Sequence, residues 1–129
     1  MNERPEPGEH ALTLHDVPDH LLAEYGFRRG VRVAVSYRCI DKEAVLIRTS
    51  DVYAKRPDRK LNEDAIRDLL SGFRGEVALP PILVYRKRGA AAALLINGMH
   101  RCRVSGALGY PMIPCLLLTR DEADAYGLS

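Results

Sequence analysis

Residues Asn97-Gly98-Met99-His100-Arg101-Cys102-Arg103 put a tight turn, an imidazole and two guanidiniums into one short stretch. That combination is suited to holding an anion. Gly98 tolerates a left-handed backbone and lets a ligand approach the main chain without a Cβ in the way. A helix opening at Met99 or His100 leaves its first N–H groups unpaired and its positive dipole end outward, an arrangement that favours phosphate. Arg101 and Arg103 supply charge and grip phosphate oxygens in pairs. His100, with an ordinary pKa of ~6.5, can donate to a phosphate oxygen or shuttle a proton. The competing reading is an ordinary surface turn at a helix start, because short motifs match often by accident.

Turnover would need more than a cradle. Phosphoryl transfer is chiefly positioning and charge neutralisation, with a metal held by a carboxylate and a residue that orients the nucleophile. Asp51, at the end of the β-branched run Ala44 to Thr49, is the first candidate. Thr49-Ser50-Asp51 is equally turn-prone, and Asp58 and Glu63 are exposed alternatives. No general base stands out, and the metal ligands stay unassigned. His10, His15 and His20 are spaced by five residues, which does not bring two imidazoles to one helical metal site. The basic runs Lys55 to Lys60 and Arg86-Lys87-Arg88 read as solvated loops, the second as a turn between two strands.

The elements that must position these groups are short and mixed. Asp16 can cap a helix from Pro18 to Tyr25 that stops at Gly26. Val31 to Tyr37 alternates, Ala44 to Thr49 is a second β-branched run, and Asp41-Lys42 between them predicts a hairpin. Asn62 caps a helix whose apolar face is Ala65, Ile66, Leu69 and Leu70, with Gly72 ending it. Strands follow at Ile82 to Arg86 and Ala91 to Ile96. Next come the turn, a helix to Gly109, and a strand from Cys115 to Leu118. Thr119 and Glu122 then have capping-box spacing for a last helix ending at Gly127. The fold class expected is α+β, a small mixed sheet with packed helices.

Composition sets the outer bounds. With 129 residues, 47% of them hydrophobic, the chain is expected to form a single domain over residues 13–129 behind a disordered tail at 1–12. Nineteen basic and seventeen acidic side chains give a net charge of +2, too balanced for a nucleic-acid surface over the whole molecule. Contact with DNA is therefore not favoured, though the Arg86 turn would be its place. Three cysteines without a CxxC spacing argue for a reducing, cytoplasmic setting. No apolar run approaches the ~20 residues of a membrane span.

The order of motifs resembles the ParB/sulfiredoxin family. Pro80-Pro81-Ile82-Leu83-Val84, Leu94-Leu95-Ile96-Asn97-Gly98-Met99-His100-Arg101, Ala107-Leu108-Gly109 and Ile113-Pro114 follow the family sequence of a "PI-V" strand, a glycine turn with His-Arg, a helix and an "ip-v" strand. The helix at Asn62 to Ser71 is similar to the one preceding the first of these strands, so the match spans residues 45–118. The resemblance implies that the glycine turn and following helix bind nucleotide phosphates, through Asn97, Gly98, His100, Arg101 and Arg103. It adds Arg59 and Lys60 from the loop before the upstream helix, and Ser71 by position.

ATP or another nucleotide with Mg²⁺ is the implied cofactor. An ATPase or small-molecule, amino-acid-type phosphotransferase with Asp51 and His100 in its chemistry is the implied enzyme. A non-catalytic nucleotide- or DNA-binding regulatory module, possible as a homodimer, is the alternative. Three departures narrow this. Met99 stands where sulfiredoxins carry the reactive cysteine, and a thioether forms no thiolate, so sulfinic acid reduction is not expected. Asn97 stands where serine-phosphorylating relatives have an acidic group. Partition ParB proteins continue into helix-turn-helix and dimerisation regions, for which 129 residues leave no room, so a stand-alone domain is expected.

Overall fold

A computed structural model describes residues 17–31, 33–55 and 60–127. The expected tail, the Asp16 cap, His10, His15, Asp58 and Arg59 lie outside these residues. The elements run α1 (Asp19–Glu24), β1 (Val45–Arg48), a 3₁₀ turn (Thr49–Asp51), β2 (Val52–Tyr53), α2 (Glu63–Arg74), β3 (Ile82–Tyr85), β4 (Ala93–Asn97), α3 (Met99–Leu108), β5 (Met112–Leu117) and α4 (Arg120–Ala125). The five strands form one mixed sheet in the order β1-β5-β3-β4-β2. The α+β class expected from the sequence is therefore the observed one.

Strands β3 and β4 pair antiparallel around the Arg86-Lys87-Arg88 turn, and α3 carries the chain from β4 to β5, which lies parallel to β3. α2 packs on α3 and α1, whereas α3 packs on β3. The shared core includes Ile66, Leu70 and Phe73 of α2, Val104, Ala107 and Leu108 of α3, and Ile82, Val84 and Ile113 of the sheet. Each helix contributes residues three and four apart, the stripe that a 3.6-residue turn lays along one face.

Helix ends follow the residues that can satisfy them. Asn62 Oδ1 accepts from Ala65 N at 3.1 Å, and α4 has both halves of the Thr119–Glu122 capping box. α2 passes through Gly72, where the sequence predicted its end, and stops a turn later. There Glu76 takes a left-handed φ of 54°, with Val77 N donating to Gly72 O at 2.9 Å and Glu76 N to Phe73 O at 3.2 Å. That pair of bonds is a Schellman cap, so the chain used Glu76 rather than glycine to close the helix.

The predicted hairpin does not form. β1 pairs antiparallel with β5, Val45 opposite Cys115 and Arg48 opposite Met112, while residues 33–40 form no strand and are not its partner. Alternation identifies a strand-like segment but does not choose its neighbour. Tyr37 decides it here: its ring packs edge-on against Phe73 and Tyr110, and its hydroxyl donates to Pro80 O at 2.7 Å. The same segment lends Val35 O to Met112 N at 2.9 Å, on the side of β5 that β3 reaches only from Cys115 onward. Pro114 sits in that gap, where its missing N–H is not needed by a second strand.

Candidate functional site

The Asn97-Gly98 turn joins the end of β4 to the start of α3. Gly98 is the N-cap residue, with φ 109° and ψ 32°, and no side chain caps the helix. A Cβ at this position would stand 2.7 Å from Ile82 Cγ2 and 3.0 Å from Ile82 Cβ. Both conformation and space therefore require glycine. α3 is ten residues long, and its N-terminal N–H groups open onto a cleft of about 770 Å³. This size lies within the roughly 300–1,000 Å³ of small-molecule clefts.

The cleft is walled by the β4 end, the first turn of α3, the first turns of α2, and Tyr126-Gly127 after α4. Asn97, Gly98, His100 and Arg101, four of the residues expected at the site, line it together. The Arg101 guanidinium lies under the turn: a Cβ on Gly98 would be 3.2 Å from its Nη2, which donates to Pro81 O at 3.3 Å. Its Nε is buried and makes no hydrogen bond within the protein. His100 Nε2 accepts from Asn62 N at 2.8 Å and so ties the start of α3 to the start of α2.

Other expected residues fall elsewhere. Arg103 is 1% exposed and lines a separate cavity of about 510 Å³ with Arg48, Thr49 and Gly109. Two residues beyond Arg101 is roughly 200° round the helix, so the two guanidiniums face opposite sides. Arg103 Nε donates to Met99 Sδ at 3.0 Å, and burial lowers the pKa of its guanidinium. Asp51 ends the 3₁₀ turn, half-buried and outside the cleft lining. Lys60 is exposed and also outside that lining, two residues before Asn62. Ser71 is exposed near the far end of α2, about 13 Å along the helix from Asn62.

Several cleft residues were not singled out by sequence. Lys55, read with the run to Lys60 as a solvated loop, lines the cleft from the loop after β2, and Asp68 is the carboxylate among the described lining residues. Ala65 and Leu69, expected on the apolar face of α2, are half-buried and form the cleft's apolar wall, Leu69 packing on the core as well. Tyr126 is 56% exposed at the rim. The signal for Ala65, Asp68 and Leu69 was their i, i+3, i+4 spacing, one strip beside the buried one. Among the described residues no group of three His, Cys, Asp or Glu side chains is placed to hold a metal.

No family model matches the chain, and no curated protein sequence does. Among solved structures, it is similar to sulfiredoxin from Arabidopsis thaliana at 19% identity. That match covers 64% of this chain and 94% of that one, with a TM-score of 0.53. It is also similar to the C-terminally truncated chromosome-partitioning protein ParB from Caulobacter crescentus complexed with CTP-gamma-S, at 21% identity and a TM-score of 0.50, over 66% of this chain. The matched region is 50% of that ParB chain, so this chain spans about half its length. The fold is accordingly that of a ParB/sulfiredoxin-like domain.

Proposed function

We propose that the cleft binds a nucleotide, with its phosphates at the Gly98 turn. The observation that carries this reading is the left-handed glycine opening an uncapped ten-residue helix onto a cleft that also holds Lys55, His100 and Arg101. Uncapped N–H groups, the helix dipole and flanking cations all favour an anion at one point. The Arg101 guanidinium, held beneath the turn by Pro81 O, adds positive charge close to the same point. The apolar wall of Ala65 and Leu69 suits the uncharged part of such a ligand. The CTP-gamma-S bound to the ParB structure supports the same reading.

Two forms of this function are open to one experiment. In the enzymatic form, ATP or another nucleotide arrives with Mg²⁺, and the protein hydrolyses it or passes a phosphoryl group to a small acceptor. In the other form, the protein is a regulatory module that binds nucleotide without turnover. The position of Asp51 outside the cleft lining favours the second form, because the acidic group nominated for chemistry does not face the phosphates. Asp68 is then the carboxylate that the enzymatic form would require for a metal or a nucleophile. We place either form in the cytoplasm; contact with DNA is not favoured and belongs to the regulatory alternative. No helix of the described residues is long and apolar enough to cross a membrane.

Calorimetric titration with ATP, ADP and CTP, each with Mg²⁺, tests binding, and phosphate release with and without amino acids tests turnover. Affinity for at least one nucleotide, lost in Arg101→Ala, is the expected result. Absence of binding by all three overturns the assignment.

A further inference from the structure

The segment ahead of β1 lies outside the stretch whose motif order resembles the family, yet its contacts lead to the nucleotide cleft. Pro80 and Pro81 have no N–H to give, so the entrance to β3 can donate only from Leu79. Residues 37–40 hold that entrance at three points. Leu79 N donates to Arg38 O at 2.8 Å, Ile40 N donates to Leu79 O at 3.0 Å, and the Tyr37 hydroxyl donates to Pro80 O at 2.7 Å. The next carbonyl along, Pro81 O, accepts from Arg101 Nη2 at 3.3 Å. Two consecutive carbonyls thus receive a buried tyrosine and a cleft arginine.

The link between those carbonyls is stiff. It turns through the φ of Pro81, which the ring locks near about −65°, and Pro81 in turn confines Pro80 to extended backbone. The remaining dihedral, the ψ of Pro81, is set where Ile82 enters the sheet opposite Cys115. A hydroxyl that fixes Pro80 O therefore also fixes the direction in which Pro81 O is presented. Tyr37 is itself immobilised, with its ring edge-on to Phe73 and Tyr110. Burial raises the pKa of its hydroxyl and the Arg101 charge lowers it, which puts the guanidinium in the same neighbourhood.

We propose that Tyr37 is a positioning residue for the cleft: by holding Pro80 it orients Pro81 O, and Pro81 O tethers Arg101 in the pose that lines the cleft. With one nitrogen tethered, the arginine has less rotamer freedom left to lose when an anion binds. That Arg101 then meets a phosphate rests on the nucleotide reading above; the coupling of Tyr37 to Arg101 does not.

Urea denaturation and calorimetric titration with ATP, ADP and CTP, each with Mg²⁺, test this on the unaltered chain, Tyr37→Phe, Arg101→Ala and the double variant. Tyr37→Phe keeps the ring and removes the hydroxyl. It is expected to weaken nucleotide binding by about three- to tenfold, the weight of one hydrogen bond, with far-UV circular dichroism unchanged. In the Arg101→Ala background the same change should leave affinity as it was, because the side chain being positioned is gone. A tyrosine with a merely structural role would not show that dependence, so equal losses in both backgrounds, or no loss with Arg101 present, overturn the proposal. The urea midpoints need no ligand: the two substitutions should shift them non-additively, and additive shifts overturn the coupling. Absence of binding by all three nucleotides overturns the nucleotide reading, and the midpoints then decide the coupling alone. Should Tyr37→Phe fail to fold, Pro81→Ala keeps both side chains and frees the joint between the carbonyls; it should weaken binding likewise, and unchanged affinity overturns the proposal.

Discussion

His100 Nε2 accepts the backbone N–H of Asn62 at 2.8 Å, so the residue that caps α2 is held by the second residue of α3. Accepting at Nε2 leaves the neutral imidazole's proton on Nδ1. The bond joins two walls of the nucleotide cleft and fixes where its phosphate end meets α2. His100 is therefore a positioning residue as well as a candidate ligand.

Replacing His100 with Phe keeps the ring and removes the acceptor. Because the bond is at the surface, water can take over the Asn62 N–H, and the expected loss is about 0.5–1.5 kcal/mol. Urea denaturation of the two proteins checks this; equal midpoints would show that the bond contributes nothing.

Arg101→Ala should weaken nucleotide binding by ~1.5–3 kcal/mol, the range of a lost charge-assisted hydrogen bond. Arg103→Lys should leave the same affinity unchanged, since Arg103 lies on the opposite side of α3. Titration calorimetry of both variants separates the two guanidiniums that the sequence had grouped.

Gly98→Ala combines a positive φ with a Cβ only 2.7 Å from Ile82 Cγ2. A destabilisation of about 1–3 kcal/mol is expected from the backbone strain alone. Thermal unfolding measures it, and an unchanged Tm would mean that the turn relaxes freely.

Cysteine chemistry gives a prediction on pH. Cys102 and Cys115 are buried, and burial pushes the Cys102 thiol well up and that of Cys115 to about 12. A raised thiol pKa keeps the folded state protonated while the unfolded chain ionises above about 9. Stability contributed by these thiols is thus complete below that pH and falls as pH rises from there toward 12. Unfolding curves across this window should show the decline, reduced in a Cys102→Ala, Cys115→Ala double variant. At neutral pH a thiol reagent should modify the half-buried Cys39 first and the other two only after denaturation.

Strands β1, β3, β4 and β5, the capped helices and the glycine turn were legible because each has a local cause, whereas the two-residue β2 was not expected. Asn62 and Thr119 cap by their own side chains, and Gly98 answers a backbone need that no other residue meets. The partner of β1 was not legible, since Val33 and Val35 alternate just as a hairpin strand would while the chain bends toward Tyr37. The start of the cleft was readable from Asn97 to Arg101 as one continuous segment. Lys55, Asp68 and Tyr126 come from three separate elements, and only the packing of α2 on α3 brings the α2 strip to the turn. Arg103 was misplaced for a simpler reason: nearness in sequence was taken for nearness in space, and a helix separates alternate residues.

The contact between Gly98 and Ile82 also bears on how the cleft would take up its ligand. Ile82 belongs to β3, in the middle of the sheet, and is fully buried, so the shape of the turn is dictated by the core and not by an anion. The cradle is in this sense preorganised. Binding need not order the loop first, and the entropy of forming the turn has already been spent in folding. Association should then be fast and differences in affinity among nucleotides should appear mainly in how quickly each one leaves.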